Sequence, residues 1–546
     1  MIHYADAIEA LADLLGDEPA LTHDGAHRSW RDFDDRGARL GNAFAAAGLK
    51  PGSTVGLLLY NCSEYYEAFL GAVKMRMVPF NVNYRYVGPE LKYLLDNADC
   101  EALVYHRSLA DVVREVVPQV PTVKIAIEVD DDDRDRGGGW ERGRPYETLI
   151  AATAPAPRIA RQVDDIHLMY TGGTTGMPKG VMCEVAPWST GLVGLFAQMV
   201  LGINPPPGEL AQLVGTVKAL RAKGMAPAVM PASPLMHTAG LANSVPIQML
   251  GGRCVTMPNK VFDAKELLRT VARERVFAMI IVGDAFARPM LTALEEAKAA
   301  GEIIDLSSLK LIISSGVIWS QGVKEKLLEW VDATLFDGVG ATEGAMALQV
   351  SRRGQSGAGA SFVALADTRL FTEDGREIPK ESTEPGMIAA GGNLLPAGYH
   401  KDPEKTARTF RMVAGKRYAF IGDWGQWNPD GTLQLLGRGS ACINTGGEKV
   451  YPEEVEQVLA AHPDVADCLV IGLPDERFGQ KVVALVAARR ANAGLSEALA
   501  EFVQGKMAGY KRPRLFLEVK TVPRMPNGKA DYKAAKVLAE QAVAAR

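Results

Sequence analysis

Tyr170-Thr-Gly-Gly-Thr-Thr-Gly-Met-Pro-Lys179-Gly180 packs four glycines, three threonines and one lysine into eleven residues. Glycine lets backbone amides turn toward an anion because no Cβ blocks the approach. Threonine hydroxyls add donors, and lysine adds a compact positive charge. This chemistry suits a polyphosphate. The stretch is not a P-loop, which needs Gly-Lys-Ser/Thr after four spacer residues with a helix following directly. Here Pro178 precedes the lysine and Gly180 follows it.

The surrounding chain is 546 residues long, enough for two or more domains, and 47% hydrophobic, enough for a large core. Its net charge is −5 with both signs dispersed, so nothing suggests nucleic acid or an anionic membrane as partner. No apolar run reaches the roughly 18–20 residues of a membrane span, so no integral membrane segment is expected. The N-terminus shows no charged-then-apolar leader. Six scattered cysteines lack any Cys-x-x-Cys pair, which argues against disulfides and structural zinc and for a reducing, cytoplasmic setting.

Outward from the glycine-rich stretch, helical and strand patterns alternate. Val55–Tyr60, Phe277–Val282 and Leu309–Ser314 read as buried strands, and Ser63–Lys74 as an amphipathic helix. Asp263-Ala-Lys-Glu266 has the form of a capping box opening a helix toward Glu274. Alternation of this kind predicts an α/β fold with layered subdomains and largely parallel sheets. Asp130–Arg144, Asn204–Gly208 and Arg352–Gly359 read as loops. From Leu365 to Leu436 the pattern changes to short strands and turns, predicting a small β-barrel-like subdomain. Pro452-Glu-Glu-Val-Glu456 is a helix start with proline first and acids in the first turn. It opens a compact α+β unit, so the domains are expected to be 1–437 and 438–546.

Further segments carry chemistry. They are Pro234-Leu-Met236-His237-Thr-Ala-Gly240, Ser314-Ser315-Gly316-Val317-Ile-Trp319 and Phe336-Asp-Gly-Val339-Gly340-Ala341-Thr342-Glu343. Gly422-Asp423-Trp424-Gly425, Leu436-Gly-Arg438-Gly-Ser440-Ala-Cys-Ile-Asn-Thr-Gly446-Gly447 and Pro526-Asn-Gly-Lys529 complete the series. In this order they resemble the adenylate-forming superfamily of acyl-CoA synthetases, luciferases and peptide-synthetase adenylation domains, from about residue 20 to 535. The likeness is strongest to bacterial CoA ligases acting on steroid side-chain carboxylates. It is carried by Thr171–Met182, Val282–Ala287, Gly437–Val450 and Asn81-Val-Asn-Tyr-Arg-Tyr86.

The resemblance implies an AMP-forming acid–thiol ligase that uses ATP, Mg²⁺ and CoA on a small-molecule carboxylic acid. The acid is hydrophobic, from a steroid side chain or a medium- to long-chain fatty acid. It implies that Thr171, Gly172, Gly173, Thr174, Thr175, Gly176 and Lys179 hold the β,γ-phosphates. Ser315, Gly316, Val339, Gly340 and Ala341 would line the adenine slot. Thr342 would meet the α-phosphate, Glu343 would bind Mg²⁺, Asp423 would accept from the ribose hydroxyls, and Arg438 would meet the ribose or α-phosphate side. Lys529 would stabilise charge between carboxylate and α-phosphate, with His237 beside the acyl pocket. Met236, Gly240, Leu241, Val317 and Trp319 would line that pocket. It also implies a mobile C-terminal lid whose rotation removes Lys529 and brings Gly446 and Gly447 toward CoA, about a hinge at Ser440. The family often has an acid at that hinge and an aromatic residue at the position of Val339.

Read singly, several residues keep another meaning. His237 could be a satisfied core histidine, Glu343 could cap a helix, Asp423 could close a turn, and Lys529 could be a solvated hairpin lysine. Delivery of the acyl group to a carrier protein is the alternative function. Amino-acid activation is disfavoured, because residues 230–250 contain no Asp or Glu to meet an ammonium. The assembly state stays open, a homodimer included.

Overall fold

The computed structural model describes all residues except 132–139, 174–175, 317–318, 356–360, 439–440, 442, 446–447, 476–478, 491–493, 505, 508, 526–527 and 545–546. Among the described residues the strands form three sheets.

The largest has a parallel core: Arg253–Thr256, Ala228–Pro231, Ala278–Ile281, Leu311–Ser315 and Thr334–Ala341 lie side by side. Ala228–Pro231 and Ala278–Ile281 are buried along their whole length, as expected of strands covered on both faces. At Thr334–Ala341 the sheet turns antiparallel through a hairpin to Gly344–Ser351. Ser361–Ala364, Leu433–Arg438 and Lys416–Trp427 continue it in hydrogen-bonded sequence. The strand-rich stretch after Leu365 is therefore joined edge-on to the α/β core.

The second sheet runs Gly176–Glu184, Ile166–Gly173, Val78–Asn81, Thr54–Leu58, Cys100–His106 and Ile125–Val129, with Gly398–Tyr399 at one edge. Helices fill the space beside it. Ser63–Lys74 is a helix as expected, but not an amphipathic one: every residue except Glu64 is buried. The reason is the close crossing with helix Trp30–Ala46. A Cβ on Gly41 would lie 2.8 Å from the carbonyl oxygen of Gly71, so only glycine permits this approach. The charged end is neutralised internally, with the Lys74 Nζ 2.7 Å from Glu9 and 2.5 Å from Asp34.

Helix Ala264–Arg273 is capped by Asp263, whose side chain accepts from the Lys265 and Glu266 amides. The reciprocal half of the expected capping box is not formed, because Glu266 accepts instead from Thr270.

The third sheet comprises Ile443–Thr445, Glu448–Val450, Val465–Asp475, Gly479–Ala488 and Leu515–Glu518, with helices Pro452–Ala460 and Tyr532–Ala544 against it. This unit touches the body where Trp424 meets Tyr451, ring centroids 6.0 Å apart. The Glu453 carboxylate packs on Gly437, where a Cβ would lie 1.9 Å from Oε2 and φ is +108°.

Candidate active site

The glycine-rich stretch is the end of a β-hairpin, with Thr171 opposite Lys179 and Gly173 opposite Gly176. A strand follows the cradle, not a helix. Thr174 and Thr175 lie outside the described residues. The hairpin is anchored by buried Asn81 at the end of Val78–Asn81. Its Nδ2 donates to the Tyr170 carbonyl at 2.9 Å and to the Met236 carbonyl at 2.6 Å, and its Oδ1 accepts from the Tyr170 amide at 2.6 Å. Asn61 works in the same way, donating to the Pro231 and Ser233 carbonyls and accepting from the Leu235 amide. Buried Asn81 and half-buried Asn61 thus tie the glycine-rich hairpin and the His237 segment into one frame.

Gly398–Tyr399 adds itself to the outer edge of Gly176–Glu184, pairing with Met182 and Val181. This addition carries three groups to the cradle that the sequence reading left unassigned. The Tyr399 hydroxyl donates to Glu343 Oε1 at 2.6 Å. Asp402 stands 3.5 Å from the Lys179 Nζ and caps helix Pro403–Thr409 by accepting from the Lys405 amide at 3.0 Å. The Lys405 ammonium lies 4.7 Å from the Tyr399 ring centroid. Burial and the neighbouring Lys179 ammonium bring Lys405 down to about 8, against the opposing pull of Glu343 and Asp402. Only the Asp402-Pro403 helix start was legible; Lys405 looks like any surface lysine.

Glu343 is 8% exposed. It sits in the turn of the hairpin Thr334–Ala341/Gly344–Ser351, so it caps no helix. The register of that hairpin shifts between Val339 and Gly340, and a bulge of this kind re-aims the residues beyond it. Gly340 is crowded, since a Cβ there would lie 2.8 Å from the Gly344 carbonyl oxygen. Val339 packs against the core. Gly316 ends Leu311–Ser315 with φ +90°, a conformation that glycine adopts without strain.

Thr342 shares a 2.8 Å hydrogen bond with Thr238, the first residue of helix Thr238–Met249. His237 precedes that helix. Burial, with the positive charges of Lys529 and Arg85 added, brings it down to about 4, so it is a neutral imidazole at pH 7. Lys529, whose carbonyl accepts from the Met525 amide at 2.8 Å, supplies one of those charges from the second α+β unit. Gly240 packs on its own turn, its Cβ position 2.4 Å from the Pro234 carbonyl oxygen. Met236 and Leu241 are buried.

Asp423 and Arg438 face each other in register on adjacent antiparallel strands. Trp319 lies in the core, with the Lys324 ammonium 5.5 Å from its ring centroid. That lysine is held by Asp337 at 2.6 Å and Gln349 at 2.5 Å. Val317, Ser440, Gly446 and Gly447 lie outside the described residues, so the structure says nothing of the hinge and glycine loop expected there.

The glycine-rich hairpin, the buried Glu343, the Asp423–Arg438 strand pair and Lys529 of the second α+β unit stand on a fold shared with solved ligases. The same fold is seen in the anthranilate CoA ligase AuaEII in complex with anthranoyl-AMP (TM-score 0.85, 22% identity, 100% of this chain and 98% of that one). It is seen again in ATP-bound MatB from Rhodopseudomonas palustris (TM-score 0.80, 23% identity, 99% and 100%). The AMP-binding enzyme family matches residues 8–400, and the AMP-binding enzyme C-terminal domain matches residues 454–529. The chain belongs to the AMP-binding enzyme family of adenylate-forming enzymes. It is 38% identical to a 3-oxocholest-4-en-26-oate–CoA ligase of Rhodococcus rhodochrous, over 98% of this chain and 95% of that protein. It is 39% identical to a medium/long-chain-fatty-acid–CoA/3-oxocholest-4-en-26-oate–CoA ligase of Mycobacterium tuberculosis, over 98% and 96%. Among the described residues no helix is long and apolar enough to cross a membrane.

Proposed function

We propose that this protein is an ATP-dependent, AMP-forming CoA ligase for a hydrophobic carboxylic acid, of the steroid side-chain or medium- to long-chain fatty class. The observation that carries this reading is the juxtaposition of Thr342, bonded to Thr238, with the buried Glu343, which is bonded by Tyr399 at the edge of the glycine-rich hairpin. Lys529, whose charge acts on His237, supports it as the cation expected between a carboxylate and an α-phosphate. The near full-length relatives with steroid and fatty acyl substrates supply the substrate class.

In the first step a carboxylate oxygen attacks the α-phosphorus, the bond to the bridging oxygen of the β-phosphate breaks, and pyrophosphate leaves. Lys529 stabilises the negative charge that accumulates there. Thr342 orients the α-phosphate, held in place by Thr238. The Asp423 carboxylate accepts from the ribose hydroxyls, with Arg438 opposite it. Glu343 would supply an oxygen donor to Mg²⁺, a hard cation that suits one carboxylate plus substrate phosphates and would screen phosphate charge when bound. A buried carboxylate fixed by one tyrosine hydroxyl fits that task. In the second step the CoA sulfur attacks the acyl carbon, the bond from that carbon to the AMP oxygen breaks, and the thiol proton passes to solvent. His237, neutral at working pH, packs beside the acyl carboxylate without adding charge.

The division into 1–437 and 438–546 fits a lid that brings Lys529 for the first step and withdraws it for the second. A cytoplasmic location suits an enzyme using ATP and CoA. A distant relative, the fatty acid–[acyl-carrier-protein] ligase ScoC of Streptomyces coeruleorubidus, is 26% identical, so a protein thiol is the competing acceptor. The deciding experiment incubates the enzyme with MgATP, a panel of steroid, aryl and fatty acids, and either CoA or a carrier protein. AMP release and the acyl thioester are then followed by mass spectrometry. AMP and acyl-CoA with a steroid or fatty acid are expected. Thioester on the carrier protein alone would move the function to the alternative, and no AMP with any acid would overturn it.

A further inference from the structure

Lys179 and Lys405 come from segments more than two hundred residues apart, yet Lys405 feels the Lys179 ammonium as well as the carboxylates of Glu343 and Asp402. Asp402 joins the two segments. Its Oδ1 already accepts from the Lys405 backbone amide, and its Oδ2 meets Lys179 only at 3.5 Å. The Lys405 ammonium lies 4.7 Å from the centroid of the Tyr399 ring, whose hydroxyl bonds Glu343. Like charges placed together in a half-buried position are unfavourable unless an anion joins them. Lys179 is 36% exposed, so an anion can reach it. A surface lysine with no such task would turn into water, away from its neighbour.

We propose that Lys405 is a second cation of the pyrophosphate site. With Lys179 it binds the β- and γ-phosphates of ATP, and it holds the departing pyrophosphate once the bond from the α-phosphorus to its bridging oxygen has broken. The inference rests on the reading of residues 170–180 as a polyphosphate cradle. Asp402 and Tyr399 hold the two lysines beside one another, Asp402 against Lys179 and the Tyr399 ring against Lys405. Pyrophosphate, with oxygens on two phosphorus atoms, bridges two ammonium groups where a monophosphate reaches one.

The test uses the full chain with Mg-pyrophosphate and MgATP as calorimetric probes, alongside pyrophosphate inhibition of acyl-CoA formation. In K405M, pyrophosphate affinity should fall about tenfold and the KM for ATP should rise comparably, the loss typical of a charge-assisted contact. K405R should stay within about threefold, since it restores the charge. Thioester formation from preformed acyl-AMP, which involves no pyrophosphate, should be unchanged in both. Circular dichroism and thermal melting confirm that K405M is folded. If the wild type binds pyrophosphate and folded K405M binds it equally well, this inference falls while the proposed function stands. If K405R is as weak as K405M, charge is not what matters and the inference falls as well. A wild type that binds neither ATP nor pyrophosphate overturns both readings.

Discussion

Tyr399 and Glu343 are 56 residues apart in sequence and joined by a 2.6 Å hydrogen bond in which the phenol donates to the buried carboxylate. The pairing holds one oxygen of Glu343 in place. Burial and the facing Glu343 push the phenol well above its usual range, so it stays a donor at any working pH. In Y399F the ring under Lys405 remains and only the donor is lost. We expect kcat/KM for MgATP to fall about tenfold, in line with roughly 1.5–3 kcal/mol for a hydrogen bond to a charged group, with a higher Mg²⁺ concentration at half-saturation. Mg²⁺ titration of steady-state AMP formation measures this. An unchanged titration curve would remove Glu343 from the metal.

Lys529 belongs to a separate α+β unit, and its charge acts on His237. K529A should slow acyl-AMP formation by about a hundredfold or more, the scale of losing a group that stabilises transition-state charge. Conversion of preformed acyl-AMP to acyl-CoA should be nearly untouched. Single-turnover assays of the two half-reactions separate these effects, and equal losses in both would count against the role.

His106, His167 and His237 are brought down to about 4, 3 and 4, with burial the first cause in each. Their unfolded values lie near 6.5. Below that pH the unfolded chain takes up protons that the folded chain refuses, so stability falls as pH drops from about 6.5 toward 4. Each histidine contributes up to about 1.4 kcal/mol per pH unit in that window. His167 is the cleanest case. It is wedged against Trp188 and Phe69 at 4.6 and 5.6 Å, and neither ring nitrogen has a hydrogen-bond partner. H167F should melt higher than the wild type at pH 5 and show a shallower decline between pH 6.5 and 5. The same decline in both would refute the assignment.

Glu456 has the opposite sign. Burial, with Glu453 nearby, raises it to about 8 inside the C-terminal unit, where it accepts from the Val470 amide at 2.8 Å. The folded chain keeps a proton that the unfolded chain loses above about 4.5, so this site costs stability progressively between pH 4.5 and 8. E456Q is neutral at every pH and can still accept from Val470. Its melting temperature relative to wild type should rise as pH goes from 5 to 8. A difference that is constant with pH would show that the carboxyl is not protonated in the fold.

Much of this was legible from local pattern. Alternating apolar strands announced the α/β core, and the Asp263 cap marked its helix. The glycine-threonine-lysine stretch announced an anion cradle, because that chemistry is local: backbone freedom, hydroxyls and one cation lie within eleven residues. The order of motifs then indicated the family. Local pattern misread Ser63–Lys74, because exposure is set by what packs on a helix, and Gly41 and Gly71 let another helix cover the face expected to meet water.

What the amino-acid sequence determined by itself was the chemical inventory: which hydroxyls, carboxylates and cations exist, and on which turns and strand ends they stand. What only tertiary structure decided was their company. Edge pairing of Gly398–Tyr399 with Gly176–Glu184 delivers Tyr399, Asp402 and Lys405 to a cradle that lies far away in the chain. Asn81 couples that cradle to Met236 beside His237, and Lys529 of the second unit adds its charge to that of Arg85 on His237. These juxtapositions arise from sheet register and packing between distant segments, which no local spacing records. The same packing sets the charge state of His237, because its pKa depends on the water excluded around it and on the cations folded against it.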